Sequence, residues 1–291
     1  MSAPGVPGNA ATAAPGGELP IASAITCKAR LRARELSFIS SVPPRSGRTG
    51  VESVEAFATA TLAAPAMKPT DPQDVPLPSR FPAVIVGAGA HSGAVVDALA
   101  GSGWEIVGAT DESMVPGTEI TPGIKVLGND SLLPKLFADG VRVAFIGVGG
   151  ATSNRLRRKI FEHLRGSGFF LPPIVHRGAI ISQGSTLGEA ACVMPGAVVG
   201  PRTRVGANAL INAGSVIAHD AVIGDHAHLA PGTVLGGNVV IGAETTIGMG
   251  ACVLLGIRIG RNVLVHMNAS VAGDIGDNLR FTKDGQRLPR N

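Results

Sequence analysis

The sequence has few of the residues that mark several common classes of protein. Its 291 residues include no Tyr, one Trp and nine Phe, so any large core must be built from Val, Ile, Leu and Ala. Only three cysteines are present, Cys27, Cys192 and Cys252, and none forms a C-x-x-C pair. These absences argue against a disulfide framework and against a cysteine zinc site.

Long apolar runs are also missing. No run approaches the roughly 18 apolar residues that a transmembrane helix requires, and the N-terminus lacks the apolar core of a signal peptide. The formal net charge is +4, but Lys and Arg crowd into residues 28–48 and the remainder is nearly neutral. We therefore expect a cytoplasmic protein that neither inserts into membranes nor binds nucleic acid. An organelle transit peptide in the Arg-rich segment stays open as an alternative.

What the sequence does contain is a repeat of six residues. An aliphatic residue recurs at every sixth position from Ile181 to Val271, sixteen times without a gap, which coincidence does not explain. A small or β-branched residue commonly follows four positions later. Six residues match one flat face of a triangular coil, and three faces make a coil of about 18 residues. The repeat predicts a left-handed parallel β-helix of about five coils.

A different pattern precedes the repeat. Residues 83–86 form a first predicted strand, which is followed by a glycine turn at residues 87–93 and a helix through Leu99. Further strands are predicted at residues 105–109, 124–127 and 141–146, and further helices start at Asn129 or Asp130 and at residues 154–164. Alternating strands and helices indicate a small parallel α/β sheet.

The chain thus divides into four parts. Residues 1–80 are rich in Ala, Pro, Gly, Ser and Thr and show no sustained period, apart from one possible short helix at residues 29–39, so we predict a disordered or low-complexity extension. We predict an α/β domain over residues 81–173, the β-helix over residues 174–277 and a short C-terminal tail over residues 278–291. A true start at Met67 stays open.

Three segments resemble one known family. Residues 212–228, which read NAGSVIAHDAVIGDHAH, resemble the sialic-acid sugar O-acyltransferases and the UDP-4-amino-sugar N-acetyltransferases with hexapeptide repeats. The glycine turn at residues 87–91 and the segment IVHRGAIIS at residues 174–182 are similar to the same family, and the resemblance covers residues 82–277. It implies that the α/β domain binds a nucleotide, that acetyl-CoA is the co-substrate and that a nucleotide-linked sugar is the acceptor. The half-coil offset between His219 and His228 and the matching faces of a triangular coil predict a homotrimer.

The chemistry of acyl transfer selects one histidine. A base must remove the proton of the nucleophile at neutral pH, and imidazole is suited to that task. His219 is the candidate, and the adjacent Asp220 could orient it and stabilise its imidazolium form. Residues 18 apart stack on successive coils, so Arg202 lies beneath Asp220 and could hold it instead. His219 and His228 are half a coil apart, so one site can use both only if two subunits build it.

The resemblance implies further site residues. His228 would contact the thioester region of acetyl-CoA, and the CoA chain would pass Gly237, Met249 and Met267. A glycine turn at a helix N-terminus offers backbone N–H groups to a diphosphate. The residues expected around the nucleotide sugar are Gly89, Ala90, His91, Asp111, Glu112, Gly149, Gly150 and Asn212.

Three other functions stay open. A serine or amino-acid acetyltransferase shares the β-helix but carries a helical or unrelated N-terminal region. A zinc carbonic anhydrase needs three histidines that converge between subunits, and the spacing of His219, His226 and His228 fits that requirement poorly, so no metal is predicted. A non-catalytic trimeric scaffold would bind no acyl-CoA.

Overall fold

The computed structural model of the protein describes residues 81–150 and 153–290. The extension predicted over residues 1–80, with its possible helix at 29–39, lies outside these ranges. Within them, no helix has the length and apolar character needed to cross a membrane.

Residues 81–166 form a five-stranded α/β sheet with its helices. The strands run in the order β3-β4-β2-β1-β5, and all neighbouring pairs are parallel except β3 and β4. β3 is a short strand that the sequence pattern did not predict. The elements are β1 Phe81–Val86, α1 Ala90–Leu99, β2 Trp104–Thr110, β3 Glu119–Thr121, β4 Ile124–Gly128, a 3-10 turn Asp130–Leu132, α2 Leu133–Ala138, β5 Val143–Ile146 and α3 Arg155–Gly166.

The central strand β1 is buried on both sides, as a parallel strand between two layers must be. Ala83 and Ile85 pack in a cluster with residues of α1, whereas Val84 and Val86 pack in a cluster with residues of α2 and α3. Both clusters continue into side chains that follow Leu171 in the chain. The α/β sheet is therefore fastened to the next part of the chain by two apolar layers.

Residues 174–271 form a parallel β-helix of two-residue strands. Each strand pairs in parallel with the strand one coil later, so that Leu210, His228 and Thr246 stack in register. The strands are β6 Ile174–Val175, β7 Ile180–Ile181, β8 Thr186–Leu187, β9 Cys192–Val193, β10 Val198–Val199, β11 Arg204–Val205, β12 Leu210–Ile211, β13 Val216–Ile217, β14 Val222–Ile223, β15 His228–Leu229, β16 Val234–Leu235, β17 Val240–Ile241, β18 Thr246–Ile247, β19 Cys252–Val253, β20 Arg258–Ile259, β21 Leu264–Val265 and β22 Ser270–Val271.

These strands make three faces. The first face contains β6, β9, β12, β15, β18 and β21, the second begins with β7 and the third with β8. A hairpin of β23 Leu279–Phe281 and β24 Arg287–Pro289 extends the first face. The segment predicted as a short tail forms this hairpin. The predicted fold class, an α/β domain followed by a left-handed β-helix, is confirmed.

The six-residue repeat explains the interior of the β-helix. From Val193 to Val271 every aliphatic repeat residue is at most 3% exposed, because it points into the coil. The residue before it points outward. The corners require left-handed backbone, and non-glycine residues such as Arg202 (φ 57°), Asp220 (φ 59°) and His226 (φ 58°) accept it there. Corner and outward positions can therefore hold polar functional side chains, whereas the inward positions hold the apolar side chains of the core.

Candidate active site

His219 stands at the corner between the second and third faces. It follows β13, and its side chain is half exposed. Its Nδ1 lies 2.8 Å from Oδ2 of Asp220. A carboxylate only accepts hydrogen bonds, so neutral His219 carries its proton on Nδ1 and leaves the lone pair of Nε2 free. The side chain is oriented as a general base requires.

Asp220 has a second partner one coil below. Arg202 donates from Nε to Oδ1 at 2.6 Å and from Nη2 to Oδ2 at 2.8 Å, a bidentate pair. Hydrogen bonds from Arg202, and then from His219, hold the pKa of Asp220 well below its usual range. Both partners that the sequence offered for Asp220 are therefore engaged at once, and the carboxylate stays ionised beside His219.

Gly237 lies one coil above His219 and leaves the imidazole room. A Cβ at Gly237 would stand 2.6 Å from Cε1 and 2.7 Å from Nε2 of the ring. Such distances are far below van der Waals contact, so any larger residue would displace the ring. The absence of a side chain at Gly237 therefore lets the His219 ring lie in this position.

His228 has a different environment. It points outward from the first face but is only 3% exposed, because the α/β domain covers it. Its Nε2 lies 3.3 Å from Nδ2 of Asn212, whose Oδ1 accepts from the N–H of Ala213 at 2.8 Å. Burial, and then the positive charge of Arg157 and the ring of His91, lower the pKa of His228 to about 4. His228 is therefore neutral at pH 7.

The glycine turn opens toward solvent at the start of α1. Gly89 and Ala90 are exposed, and a Cβ at Gly89 would meet no atom within 4 Å. The first N–H groups of a helix have no partner within the helix, so this turn offers donors to an anion. His91 is partly buried behind it, and burial together with Arg157 lowers the pKa of His91 to about 4.

Asp111 ties the end of β2 to the glycine turn. Its Oδ2 accepts from the N–H of Ala88 at 2.8 Å, and its Oδ1 accepts from the N–H of Ser113 at 2.9 Å and of Met114 at 3.1 Å. Although burial acts to raise it, these hydrogen bonds lower the pKa of Asp111. Glu112 is exposed beside it, and its Oε1 accepts from the N–H of Asp130. Asp111 thus shapes the rim of the predicted nucleotide site.

Gly149 and Gly150 form the wall where the α/β domain meets the β-helix. A Cβ at Gly149 would lie 3.2 Å from Cγ of His91, and one at Gly150 would lie 2.8 Å from Nδ1 of His228. These two glycines therefore bring the end of β5 against both buried histidines. The structure gathers His91, Gly149, Gly150, Asn212 and His228, and we call this group the junction cluster.

The remaining predicted residues occupy two corners. Met249 and Met267 are about half exposed, one coil apart, at the corner between the first and second faces, where Asn212 also lies. Gly237 stands with His219 at the corner between the second and third faces. His219 and His228 share no hydrogen bond within the described chain. The predicted site residues of one chain thus fall into two separate groups, around His219 and around His228, which we call the two half-sites.

Two residues at the junction cluster were missed from the sequence. The sequence pattern gave Arg157 no role, yet it is 2% exposed. Its spacing from Phe161 and Leu164, four and seven residues, places it in the buried stripe of α3 and could have indicated this. Asn154, at the start of that helix, is 3% exposed and donates from Nδ2 to Oγ1 of Thr246. No sequence signal foretold that contact, which spans 92 residues.

The fold and the site together define a class: acyltransferases built on a β-helix of hexapeptide repeats. Residues 83–164 match the PglD N-terminal domain, and residues 202–237 and 220–255 match the bacterial transferase hexapeptide repeat. No curated protein sequence matches the chain. In the part of the chain that the structure describes, no group of three or more His, Cys, Asp or Glu could hold a metal ion.

Solved structures give the particular relationship. PerB from Caulobacter crescentus, in complex with CoA and GDP-perosamine, is 31% identical with a TM-score of 0.65, and the match covers 70% of this chain and 96% of that one. The acetyltransferase domain of PglB from Neisseria gonorrhoeae, in complex with acetyl coenzyme A, is 29% identical with a TM-score of 0.65, and the match covers 72% and 99%. WeeI from Acinetobacter baumannii, at 20% identity, a TM-score of 0.61 and coverage of 72% and 100%, shares the fold.

This chain therefore belongs to the PglD-like family of hexapeptide-repeat sugar acetyltransferases. It is an acyltransferase, and the predicted family and enzyme class are confirmed.

Proposed function

We propose that this protein transfers the acetyl group of acetyl-CoA to the amino group of a nucleotide-linked amino sugar. The observation that carries the proposal is the array of His219, Asp220 and Arg202 beside Gly237, which presents a free Nε2 at an accessible corner. Relatives that bind CoA with GDP-perosamine, or acetyl-CoA, support the choice of substrates. The exposed glycine turn at Gly89 suits the diphosphate of such an acceptor.

His219 acts as the general base in this proposal. Its Nε2 removes a proton from the acceptor amine as the nitrogen attacks the thioester carbonyl carbon. Ionised Asp220 stabilises the imidazolium that forms, as its contact with Nδ1 allows. When the carbon–sulfur bond breaks, the imidazolium returns the proton to the CoA sulfur, so His219 ends the cycle neutral.

We further propose that the active enzyme is a homotrimer whose sites lie between subunits. The outward residues of the second face include Ile180, Val216 and Val234, which are large, apolar and 40–61% exposed. An apolar stripe of this kind marks a surface for association. If the second face packs against a neighbour, His219 of one subunit can approach His228 and Asn212 of the next, which joins the two half-sites.

The function is tested by incubating the protein with acetyl-CoA and a panel of UDP- and GDP-linked 4-amino sugars, and by measuring thiol release. We expect release with at least one amino sugar and none with its 4-hydroxy counterpart. Serine in the same assay tests the amino-acid acetyltransferase alternative. Titration of acetyl-CoA by calorimetry tests the scaffold alternative, because a scaffold would show no binding. Release with serine alone, or no binding of acetyl-CoA, would contradict the proposal.

A further inference from the structure

Arg157 is a buried cation without an anionic partner. It lies in the first turn of α3 and is 2% exposed. None of the ion pairs among the described residues includes it. A guanidinium remains charged in proteins, and an unpaired buried charge costs several kcal/mol by general estimates. A buried charge of this kind persists only where hydrogen bonds offset its desolvation or where the function of the protein needs it.

The donors of Arg157 bind main-chain carbonyls from both domains. Nη1 donates to the carbonyl oxygens of Ile146 at 3.3 Å and Val148 at 2.7 Å, at the end of β5. Nε donates to the carbonyl of Asn208 and Nη2 to that of Ala190, both at 3.4 Å. Asn208 and Ala190 are corner residues of successive coils. One side chain therefore fastens the end of β5 to two coils of the β-helix.

The segment that Arg157 fastens is the one that touches the buried histidines. Residues 147–150 follow β5 directly, and a Cβ at Gly147 would strike the carbonyl oxygen of Gly87. A Cβ at Gly150 would strike Oδ1 of Asn154 and stand 2.8 Å from Nδ1 of His228. Since the backbone approaches so closely here, a small shift of this segment would change the surroundings of His228.

The hydrogen bonds of Asn212 determine which nitrogen of His228 carries the proton. Because Oδ1 of Asn212 accepts from Ala213, its Nδ2 faces His228 and donates to Nε2. Neutral His228 therefore has its proton on Nδ1. That Nδ1 is buried and has no partner among the described residues, and neither has Oδ1 of Asn154. A donor and an acceptor thus face the same polar gap beside Gly150.

Burial first, and then the charges around His228, keep its pKa low and the ring neutral. Arg157 from α3 and His91 from α1 both disfavour a positive charge on the ring. Cys192, on the same face of the β-helix, is buried next to Arg157, and burial raises the pKa of its thiol to about 11, so it supplies no negative charge at pH 7. Asn212 is uncharged. No carboxylate among the described residues offsets these effects at His228.

We propose that Arg157 is a positioning residue for acyl transfer: it fastens residues 147–150 to the β-helix and thereby holds His228 as a hydrogen-bond donor toward the substrates. The inference rests on the proposed function, because it takes His228 to belong to the acyl-transfer site. Arg157 itself touches no substrate. It acts through the segment that it binds and through its charge.

The first test uses the wild-type protein. Histidines are labelled with ¹⁵N, the signal of His228 is identified by its loss in His228→Gln, and the tautomer and titration are recorded by NMR. We expect a proton on Nδ1 and no protonation until the pH approaches about 4. A proton on Nε2, or a midpoint near the ordinary 6.5, would overturn the proposal. This result does not depend on enzymatic activity, so a failed activity assay would leave it standing.

The second test compares Arg157→Met with Arg158→Met. Arg158 is the matched control because it is adjacent and also links α3 to the β-helix, through a partly exposed ion pair with Glu244. In Arg157→Met we expect the midpoint of His228 to rise by about one pH unit or more and kcat to fall about 10- to 100-fold, with KM for acetyl-CoA changed less than about threefold. Arg158→Met should leave both the titration midpoint of His228 and kcat unchanged.

A third variant separates the effect of the positive charge of Arg157 from the effect of its hydrogen bonds to the main chain. Arg157→Lys keeps the cation, but an ammonium has three donors and cannot span four carbonyls. We expect His228 to stay neutral at pH 6 while kcat still falls. A folded Arg157→Met with wild-type titration and wild-type kcat would refute the proposal. If Arg157→Met does not fold, the wild-type titration and Arg157→Lys decide it, and wild-type kcat in Arg157→Lys counts against it.

Discussion

At the scale of single residues, function rests on which side chains the corners of the β-helix present. His219 and Asp220 are adjacent in sequence, and the left-handed backbone at Asp220 turns its carboxylate back toward the imidazole. Arg202 reaches the same carboxylate only because coils stack every 18 residues. The corner thus assembles an imidazole, a carboxylate and a guanidinium from two coils.

His219→Ala should abolish most turnover without unfolding the protein. General-base catalysis contributes about 10² to 10⁴ in rate, so kcat should fall by that order while the affinity for acetyl-CoA stays nearly unchanged. Steady-state kinetics and calorimetry measure the two quantities. A variant with the wild-type rate would show that another group removes the proton.

Asp220→Asn should cost less than His219→Ala. The amide still accepts a hydrogen bond but loses the charge that stabilises the imidazolium, so we expect a fall in kcat on the order of tenfold. Arg202→Met provides the comparison, because it removes the bidentate partner and leaves the contact between His219 and Asp220. We expect Arg202→Met to lower kcat less than Asp220→Asn does. If kcat falls as far in Asp220→Asn as in His219→Ala, the carboxylate does more than stabilise the imidazolium.

At the scale of elements, the stacking of coils sets the space around the base. Gly237 lies one coil above His219, and its position is determined by the pairing of β13 with β16. The same stacking places Leu210, His228 and Thr246 in one outward row on the first face. The α/β domain packs against the apolar residues at the beginning of this row, which include Leu210. A coil register error of one residue would destroy both arrangements.

Gly237→Ala tests this reading of the coil. The added Cβ would stand 2.6 Å from Cε1 of His219, so the imidazole must swing away. We expect kcat to fall about tenfold or more, with a melting temperature within a few degrees of wild type, because an exposed ring can move at little cost to stability. Gly273→Ala, whose Cβ would meet only a side-chain nitrogen of Arg287 at 3.7 Å, is the control and should be neutral. Equal activity of both variants would contradict the role of Gly237.

At the scale of the whole molecule, the predicted site residues of one chain lie in two separate places. His219 stands at one corner of the prism, and His228 faces the α/β domain on the first face. The apolar second face lies between the corner of His219 and the corner of Asn212. The homotrimer proposed above uses that face to bring His219 of one subunit near His228 of the next.

Subunit mixing tests the shared site. We expect His219→Ala and His228→Gln to be nearly inactive alone. If the two are unfolded together, refolded as mixed trimers and assayed, about one quarter of the sites should contain both native histidines and recover activity. Wild-type protein taken through the same procedure sets the yield. Mixed trimers with no recovered activity would show that each site lies within one chain.

The buried histidines should make stability depend on pH. Below about pH 6.5 the unfolded chain takes up protons on His91 and His228, whereas the folded chain does not until about pH 4. The free energy of unfolding should therefore fall as the pH falls through this window, by up to about 1.4 kcal/mol per pH unit for each histidine. Urea unfolding at pH 7, 6 and 5 measures it. In His228→Gln the unfolding free energy should depend less steeply on pH, because one of the two titrating histidines is gone. An unchanged slope would contradict the burial of His228.

Much of the fold was predictable because its causes are periodic. The six-residue repeat predicted the β-helix and the stacking of Arg202 beneath Asp220. Four strands and three helices before the repeat were located within a few residues, because alternating apolar segments and glycine turns report local structure. The antiparallel strand β3 was missed, since three residues are too few to show a period.

The sequence by itself determined the coil, its inward and outward positions and the identity of the corner histidine, because each depends on spacing along one chain. Only the tertiary structure decided what the α/β domain covers. The burial of Arg157 and His228, the approach of Gly150 and the contact of Asn154 with Thr246 arise where distant segments meet. Such contacts depend on how two apolar surfaces dock, and no local pattern encodes that docking, because it is selected by the complementarity of the whole interface.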